Sequence, residues 1–214
     1  MKKHILAVVL MGTVVVAPAA VAADMGWYLG ANAGQSRFDA SSGDLDSTWR
    51  SLGFTASSSV DDTDTGFKLF AGYKFMKYFA VEGGYVDLGK LTFSSNITAA
   101  PAGYSTGSVS GDIKTKNGVF IDAVGIVPVS DAFSLFGRLG AYSVKAELHA
   151  SGPAGTVDQN ETGSDVHYGI GAGYNFTKNI GARLEWERFR NVGDESKTGE
   201  GDVDLWSVGL AYMF

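Results

Sequence analysis

The sequence predicts an all-β protein, an eight-stranded antiparallel up-and-down transmembrane β-barrel, and three observations carry that prediction. Period-two alternation of apolar and polar residues recurs along the chain. No segment after Asp24 approaches the ~20 consecutive apolar residues that a membrane-crossing helix needs. The connections between alternating segments are short and long in turn, as expected where turns gather on one rim of a barrel and loops on the other.

The first residues set the compartment. Lys2 and Lys3 make a basic start, Ile5 to Ala17 are almost uninterruptedly apolar, and small residues run from Ala19 to Ala23. This is the pattern of a secretory signal peptide, expected to occupy residues 1–23 and to be cleaved near Asp24. No Cys stands beside that position, so lipid attachment there is not expected. Residues 24–214 are expected to form one outer-membrane barrel domain.

Composition narrows the function classes. Of 17 Lys and Arg, two lie in the leader, leaving 15 basic against 23 acidic residues, or −8. That balance, without any Lys or Arg cluster evident along the sequence, argues against nucleic acid. With no Cys in the chain there are no disulfides, thiolate metal sites or Cys nucleophiles. The 29 Gly and near-neutral mean hydropathy suit a barrel whose alternate residues face lipid and lumen.

The strands are placed at 25–37, 64–75, 79–91, 113–127, 133–147, 165–176, 180–190 and 202–214. The long connections, 38–63, 92–112, 148–164 and 191–201, read as solvated extracellular loops rich in Gly, Ser, Asp and Thr. The short ones, 76–78, 128–132 and 177–179, read as periplasmic turns, which puts both termini on the periplasmic side. Pro101, Pro128 and Pro153 all fall in connections, where no ladder hydrogen bond is lost.

Parity assigns the faces. On the last strand Trp206, Val208, Leu210, Tyr212 and Phe214 share the lipid side. Trp27, Leu29, Ala31 and Ala33 face outward on the first strand, and Tyr168, Ile170, Ala172, Tyr174 and Phe176 on the sixth. Outward aromatics near both strand ends form two interfacial girdles: Phe75, Phe79, Phe133, Phe176, Tyr212 and Phe214 below, with Tyr85, Tyr168, Trp186 and Trp206 above.

The same parity sends Lys68, Glu82, Asp122, Arg138, Arg183, Glu185 and Glu187 inward as a lumen charge network. A Lys or Arg on the lipid face at mid-bilayer costs about 2–4 kcal/mol, whereas inward charges can pair. Centring the turns on Lys77, Ser130 and Lys178 sets Asp122 opposite Arg138. It also sets Gly173, Gly171 and Gly169 beside Arg183, Glu185 and Glu187, and Gly72 beside Glu82. Eight strands leave an interior that side chains can fill, and Phe70, Phe120 and Phe136 also point into it.

Several stretches resemble a known family: Trp27-Tyr28-Leu29-Gly30-Ala31, the run from Phe79 to Gly89, Ala182 to Glu187, and the end from Trp206 to Phe214. They resemble the OmpA-like transmembrane barrels over essentially all of 24–214. The resemblance implies a charge-paired interior to which Glu82, Arg138, Arg183 and Glu185 correspond in type and facing. It also implies that Trp206, Val208, Leu210, Tyr212 and Phe214 act as the signal read by the barrel-assembly machinery. Larger members continue into a peptidoglycan-binding domain; with the last strand ending at Phe214, no such anchoring is expected.

The function expected is structural and surface-interacting: envelope integrity, adhesion and resistance to host defences, with lipid, lipopolysaccharide and a host or environmental ligand of the loops as partners. No catalytic, cofactor or metal site is expected. Asp61, Asp62, Asp64, Asp194, Glu195, Glu200, Asp202 and Asp204 are solvated acids that could share divalent cations with lipopolysaccharide phosphates, yet Asp61, Asp62 and Asp64 lack the glycine and distal Glu of a calcium loop. Two other functions remain open. One is a narrow channel for ions or small solutes; the other is a lipid-modifying enzyme using His149 or His167 with Ser151, Asp158, Ser164 or Asp165.

Overall fold

The computed structural model describes residues 25–194 and 199–214. The expected leader, residues 1–23, lies outside the described residues, as does Glu195.

Among the described residues ten strands and one helix follow in order: β1 (Gly26–Phe38), α1 (Ser42–Ser51), β2 (Thr55–Asp61), β3 (Thr63–Met76), β4 (Phe79–Asp87), β5 (Lys90–Ala99), β6 (Gly107–Pro128), β7 (Phe133–Gly152), β8 (Gly155–Asn175), β9 (Ile180–Asp194) and β10 (Gly199–Met213). Eight of them, β6-β4-β3-β1-β10-β9-β8-β7, pair antiparallel in that order, and β7 closes the ring on β6. Closure leaves no unpaired backbone edge facing lipid, the condition for a sheet to span a bilayer.

The facing pattern follows the pleat. Trp206, Val208, Leu210, Tyr212 and Phe214 are exposed, while Leu205 and Ser207 between them are buried. Leu139 at 62% and Ile170 at 65% exposure are typical of the belt, values that only a lipid-facing surface explains in such apolar side chains. Aromatic contacts mark both edges of the belt. Trp27 meets Tyr73 and Tyr212 meets Phe214 at the turn end; Phe67 meets Tyr85, and Tyr168, Trp186 and Trp206 form a row at the other.

Three of the expected loops are instead ordered structure. β7 and β8 stay paired from Phe133↔Tyr174 to Gly152↔Gly155, absorbing most of 148–164. Since ~9–11 residues suffice to cross the bilayer, half of this hairpin stands outside it. The segment 92–112 supplies β5 and the first part of β6, and 38–63 supplies α1 and β2, which pairs with β5. The result is an extracellular blade, β2-β5-β6-β7-β8, rising from one side of the barrel. Its tip escapes the alternation rule because that part is largely solvated: Thr156 to Ser164 are polar but for Val157, and beside the backbone ladder Asp158 pairs with His149 and Ser164 donates to Ser143. Helix α1 buries no side chain and is set by its cap, Ser41 accepting from the Asp44 amide, with Asp44 and Arg50 complementing the helix dipole.

The turn between β6 and β7 also shifts a register. Asp122 stands opposite Gly140, and Arg138 opposite Val124, two residues from the expected Asp122–Arg138 pairing. The amides of Val129 and Ser130 both donate to the Phe133 carbonyl, centring the turn on Asp131. The other registers hold: Gly169, Gly171 and Gly173 face Glu187, Glu185 and Arg183, and Gly72 faces Glu82.

Room for large inward side chains depends on such glycines. A Cβ on Gly140 would lie 2.1 Å from both the Ile121 carbonyl oxygen and Asp122 Oδ1. The wild-type barrel is expected to resist detergent and to migrate differently before and after boiling on electrophoresis. Gly140→Val should remove the unboiled, folded band, because the clash is with backbone and cannot be relieved by a rotamer change.

Candidate functional site

The inward parity of five strands brings the seven charged residues together. Lys68 comes from β3, Glu82 from β4, Asp122 from β6, Arg138 from β7, and Arg183, Glu185 and Glu187 from β9. Six are almost wholly buried, and the Arg183 side chain is 10% exposed. A charge so placed must be matched by neighbours, because water does not reach it.

Arg138 is the hub. Its Nη2 lies 3.1 Å from Glu82 Oε2 and 3.0 Å from Glu185 Oε2, and its Nη1 lies 3.1 Å from Asp122 Oδ2 and 3.2 Å from Glu187 Oε1. One planar guanidinium thus touches four carboxylates, a task for which a forked donor set is suited and an ammonium is not. Lys68 Nζ bridges Glu185 and Glu187 at 2.8 and 2.7 Å. Arg183 bonds Glu82 at 2.8 Å and Glu185 at 2.6 Å, and lies between the Phe70 and Phe136 rings, 4.6 Å from each centroid.

Sequence reasoning missed two members. The Tyr28 hydroxyl donates to Glu82 Oε1 at 2.7 Å; its inward parity on β1, opposite Gly72, was the available signal. His167, expected at the rim, is fully buried with Nε2 2.5 Å from Asp122 Oδ1. Its signal was the outward placement of Tyr168 next to it. Asp122, His167 and Glu187 bring donor atoms within 4.8 Å of one another; Arg138 Nη1 hydrogen-bonds Asp122 Oδ2 and makes an ion-pair contact with Glu187 Oε1, so a guanidinium already offsets the two carboxylates.

Apolar side chains close over the charges toward the extracellular end: Tyr142, Val144, Phe189, Val203 and Leu205 are all buried. Toward the periplasm a vestibule of about 380 Å³ opens between the turns and reaches inward to Tyr28, Glu82 and Arg183.

The other sequence candidates are dispersed. Asp62 pairs with Arg37, Asp204 takes both Nε and Nη2 of Arg188 at 2.7 Å, and Asp64 accepts from the Thr65 and Lys90 amides. Among the described residues these acids form no common cation site. His149 and His167 are far apart in environment, one exposed and one buried. His149 pairs with Asp158 at 2.5 Å, while Ser164 donates to Ser143, and Asp165 accepts from the Asn191 side chain. No described serine bonds to either histidine.

On the outer wall a bulge alters the surface. Asn117 is left-handed, a conformation that Asn tolerates, and the register slips between Lys116 and Val119. Lys114 and Lys116 consequently face outward above the lipid belt, Lys114 opposite Lys90 and Lys116 opposite Lys145. Glu147 serves Lys116 at 2.6 Å and Lys145 at 2.9 Å, and those hydrogen bonds hold its carboxyl down to about 2. Among the described residues Lys90 and Lys114 have no ion-pair partner.

A closed antiparallel ring with a lipid-facing belt, two aromatic girdles and an ion-paired interior is an integral β-barrel of the bacterial outer membrane, its long connections extracellular and its termini periplasmic. The model of the OmpA-like transmembrane domain matches residues 22–214, and the chain belongs to that family. It is 30% identical over 212 residues to outer membrane protein A of Yersinia pseudotuberculosis and 28% identical over 212 residues to that of Shigella flexneri. Each comparison covers 98% of this chain and 54% of the relative, so the chain spans about half the length of these curated relatives. Among solved structures it is similar to Ail, the attachment invasion locus protein of Yersinia pestis, crystallised with the heparin analogue sucrose octasulfate. That likeness has a TM-score of 0.52 at 20% identity, covering 90% of this chain and 100% of Ail, and it shows the fold.

Two measurements follow from this geometry. Arg138→Met should destabilise the barrel by about 3–5 kcal/mol in urea titrations from lipid vesicles, since it strands buried carboxylates. Arg138→Lys should recover only part of the loss. At the blade, the hydrogen bond and charge of Asp158 raise the affinity of His149 for its proton. The pair's contribution is complete below the unfolded histidine value of about 6.5 and is lost as pH rises through the raised folded value. An NMR titration should therefore show His149 titrating above the ordinary value, and Asp158→Asn should lower it.

Proposed function

We propose that this chain is a structural, surface-interacting barrel without catalytic activity, whose lumen is closed to solutes by the charge network. The observation that carries this reading is the contact of Arg138 with all four buried carboxylates, roofed by Tyr142, Phe189 and Leu205. Opening a path would separate several ion pairs in a low-dielectric interior at once. The exposed work then falls to the blade and the rim, where a host or environmental ligand would bind, and envelope integrity and adhesion are the roles that such a surface serves.

Lipopolysaccharide is the partner that the outer wall suits best. Lys90, Lys114, Lys116 and Lys145 make a basic stripe on an acidic protein, just above lipid-facing Val119, at the level of phosphate-bearing headgroups. Glu147 already joins Lys116 and Lys145, whereas Lys90 and Lys114 stand opposed and would gain from an anion between them. The complex of Ail with a sulfated sugar analogue is consistent with polyanions as ligands of such rims. At the other end, the alternate apolar residues Trp206, Val208, Leu210, Tyr212 and Phe214 are the segment that the assembly machinery would read.

A narrow channel is the second reading, favoured by the periplasmic vestibule that leads as far as Arg183. Planar-bilayer recording separates the two. The expected result is no resolvable current from the wild-type protein; steady single-channel openings that Asp122→Asn enlarges would instead favour a gated channel.

A further inference from the structure

Besides Lys74, which lines the periplasmic vestibule, the inner charges of the lumen count one carboxylate more than fixed cations. Glu82, Asp122, Glu185 and Glu187 supply four carboxylates, whereas Lys68, Arg138 and Arg183 supply three fixed cations, all in mutual contact and nearly all shut off from water. An unmatched charge in such a place is costly enough that the structure should contain its counterpart.

His167 is placed to be that counterpart. It is fully buried on β8, with Nε2 2.5 Å from Asp122 Oδ1 on β6 and Nδ1 3.8 Å from Glu187 Oε1 on β9. The polar atom nearest each ring nitrogen is thus a carboxylate oxygen, although neither nitrogen is itself hydrogen-bonded. A neutral imidazole donates from one nitrogen and presents a lone pair at the other, which would meet a second acceptor; an imidazolium donates from both. The remaining groups around the ring come from every neighbouring strand. Arg138 on β7 bonds the same two carboxylates, Lys68 on β3 bonds Glu187, and Tyr142 on β7 meets the ring edge to face. Phe189 stacks on it at 4.7 Å, and Phe120 closes another side, so water does not substitute for the missing charge.

We propose that His167 is a proton-binding site of the lumen, whose imidazolium completes four cations against the four inner carboxylates and makes the stability of the barrel sensitive to pH. A divalent metal ion fits less well in this place, since it would turn a deficit of one charge into an excess of one. Arg138 Nη1 also lies 3.2 Å from Glu187 Oε1, one of the carboxylate oxygens that it would need.

The test uses the whole chain in a lipid bilayer, in a His149→Gln background so that His167 is the single histidine of residues 24–214. Imidazole ¹⁵N spectra between about pH 5 and 9 span the ordinary histidine value. The expected result is a doubly protonated ring on the acid side. The midpoint of the heat-induced mobility change should drop by about 5–10 °C toward alkaline pH. His167→Gln should lower the midpoint at acid pH and remove the slope. A neutral ring throughout the range would overturn the proposal, and so would an unchanged slope in His167→Gln. Movement of the ring signals on adding Zn²⁺, reversed by chelator, would overturn it in favour of a metal site. If His167→Gln does not fold, the spectra of the parent chain decide alone. Because conductance is not read, failure here leaves the closed-lumen reading standing.

Discussion

One guanidinium holding four carboxylates is the constraint around which the barrel is organised. Arg138 reaches Glu82, Asp122, Glu185 and Glu187 from three other strands, so four strands must keep their registers for the contacts to exist together. Buried ion pairs seldom add net stability over a well-packed apolar core. What they add is specificity. A register slip of one residue would turn these charges to lipid, and a slip of two would separate Arg183 from the gap between Phe70 and Phe136. The glycines opposite the long inward side chains belong to the same design, since Gly140, Gly169 and Gly72 leave the space that Asp122, Glu187 and Tyr28 occupy.

The extracellular architecture follows from a second, smaller device. At Asn117 the strand bulges, and the chain from Leu88 to Gly89 bends against it, with Thr115 Oγ1 accepting from the Leu88 amide and donating to the Gly89 carbonyl. Above this point β6 leaves β4, takes β5 as its neighbour and continues with β7 into the blade. The bulge also turns Lys114 and Lys116 outward. Barrel wall, blade and basic stripe are thus linked through one left-handed residue, which ties the surface chemistry to the same strand that carries Asp122.

Much of this was legible from parity alone. Lipid belt, girdles and the seven inward charges all follow from counting in twos, because one face of each spanning strand meets hydrocarbon and the other does not. The blade was not legible for the complementary reason. Thr55 to Asp61 and Thr156 to Ser164 are mostly small or polar and bury no side chain fully, so nothing in their polarity distinguishes a paired strand from a loop. The Asp122–Arg138 pairing was misplaced by two residues because turn geometry, not pattern, sets the register. Asp122 and Arg138 nonetheless remain in contact, since the long side chain spans the diagonal. His167 escaped because a single histidine carries no periodic signal of its own, although its neighbour Tyr168 did.

The central claim is that Arg138 binds all four lumen carboxylates at once. Solid-state NMR of the protein in bilayers, with ¹⁵N in the Arg138 guanidinium and ¹³C in the carboxyl groups, measures this directly through dipolar dephasing. Dephasing of four resolved carboxyl carbons, assigned to Glu82, Asp122, Glu185 and Glu187, is the result expected. Dephasing of one or none of them would contradict the account, leaving the interior without the hub on which its registers depend.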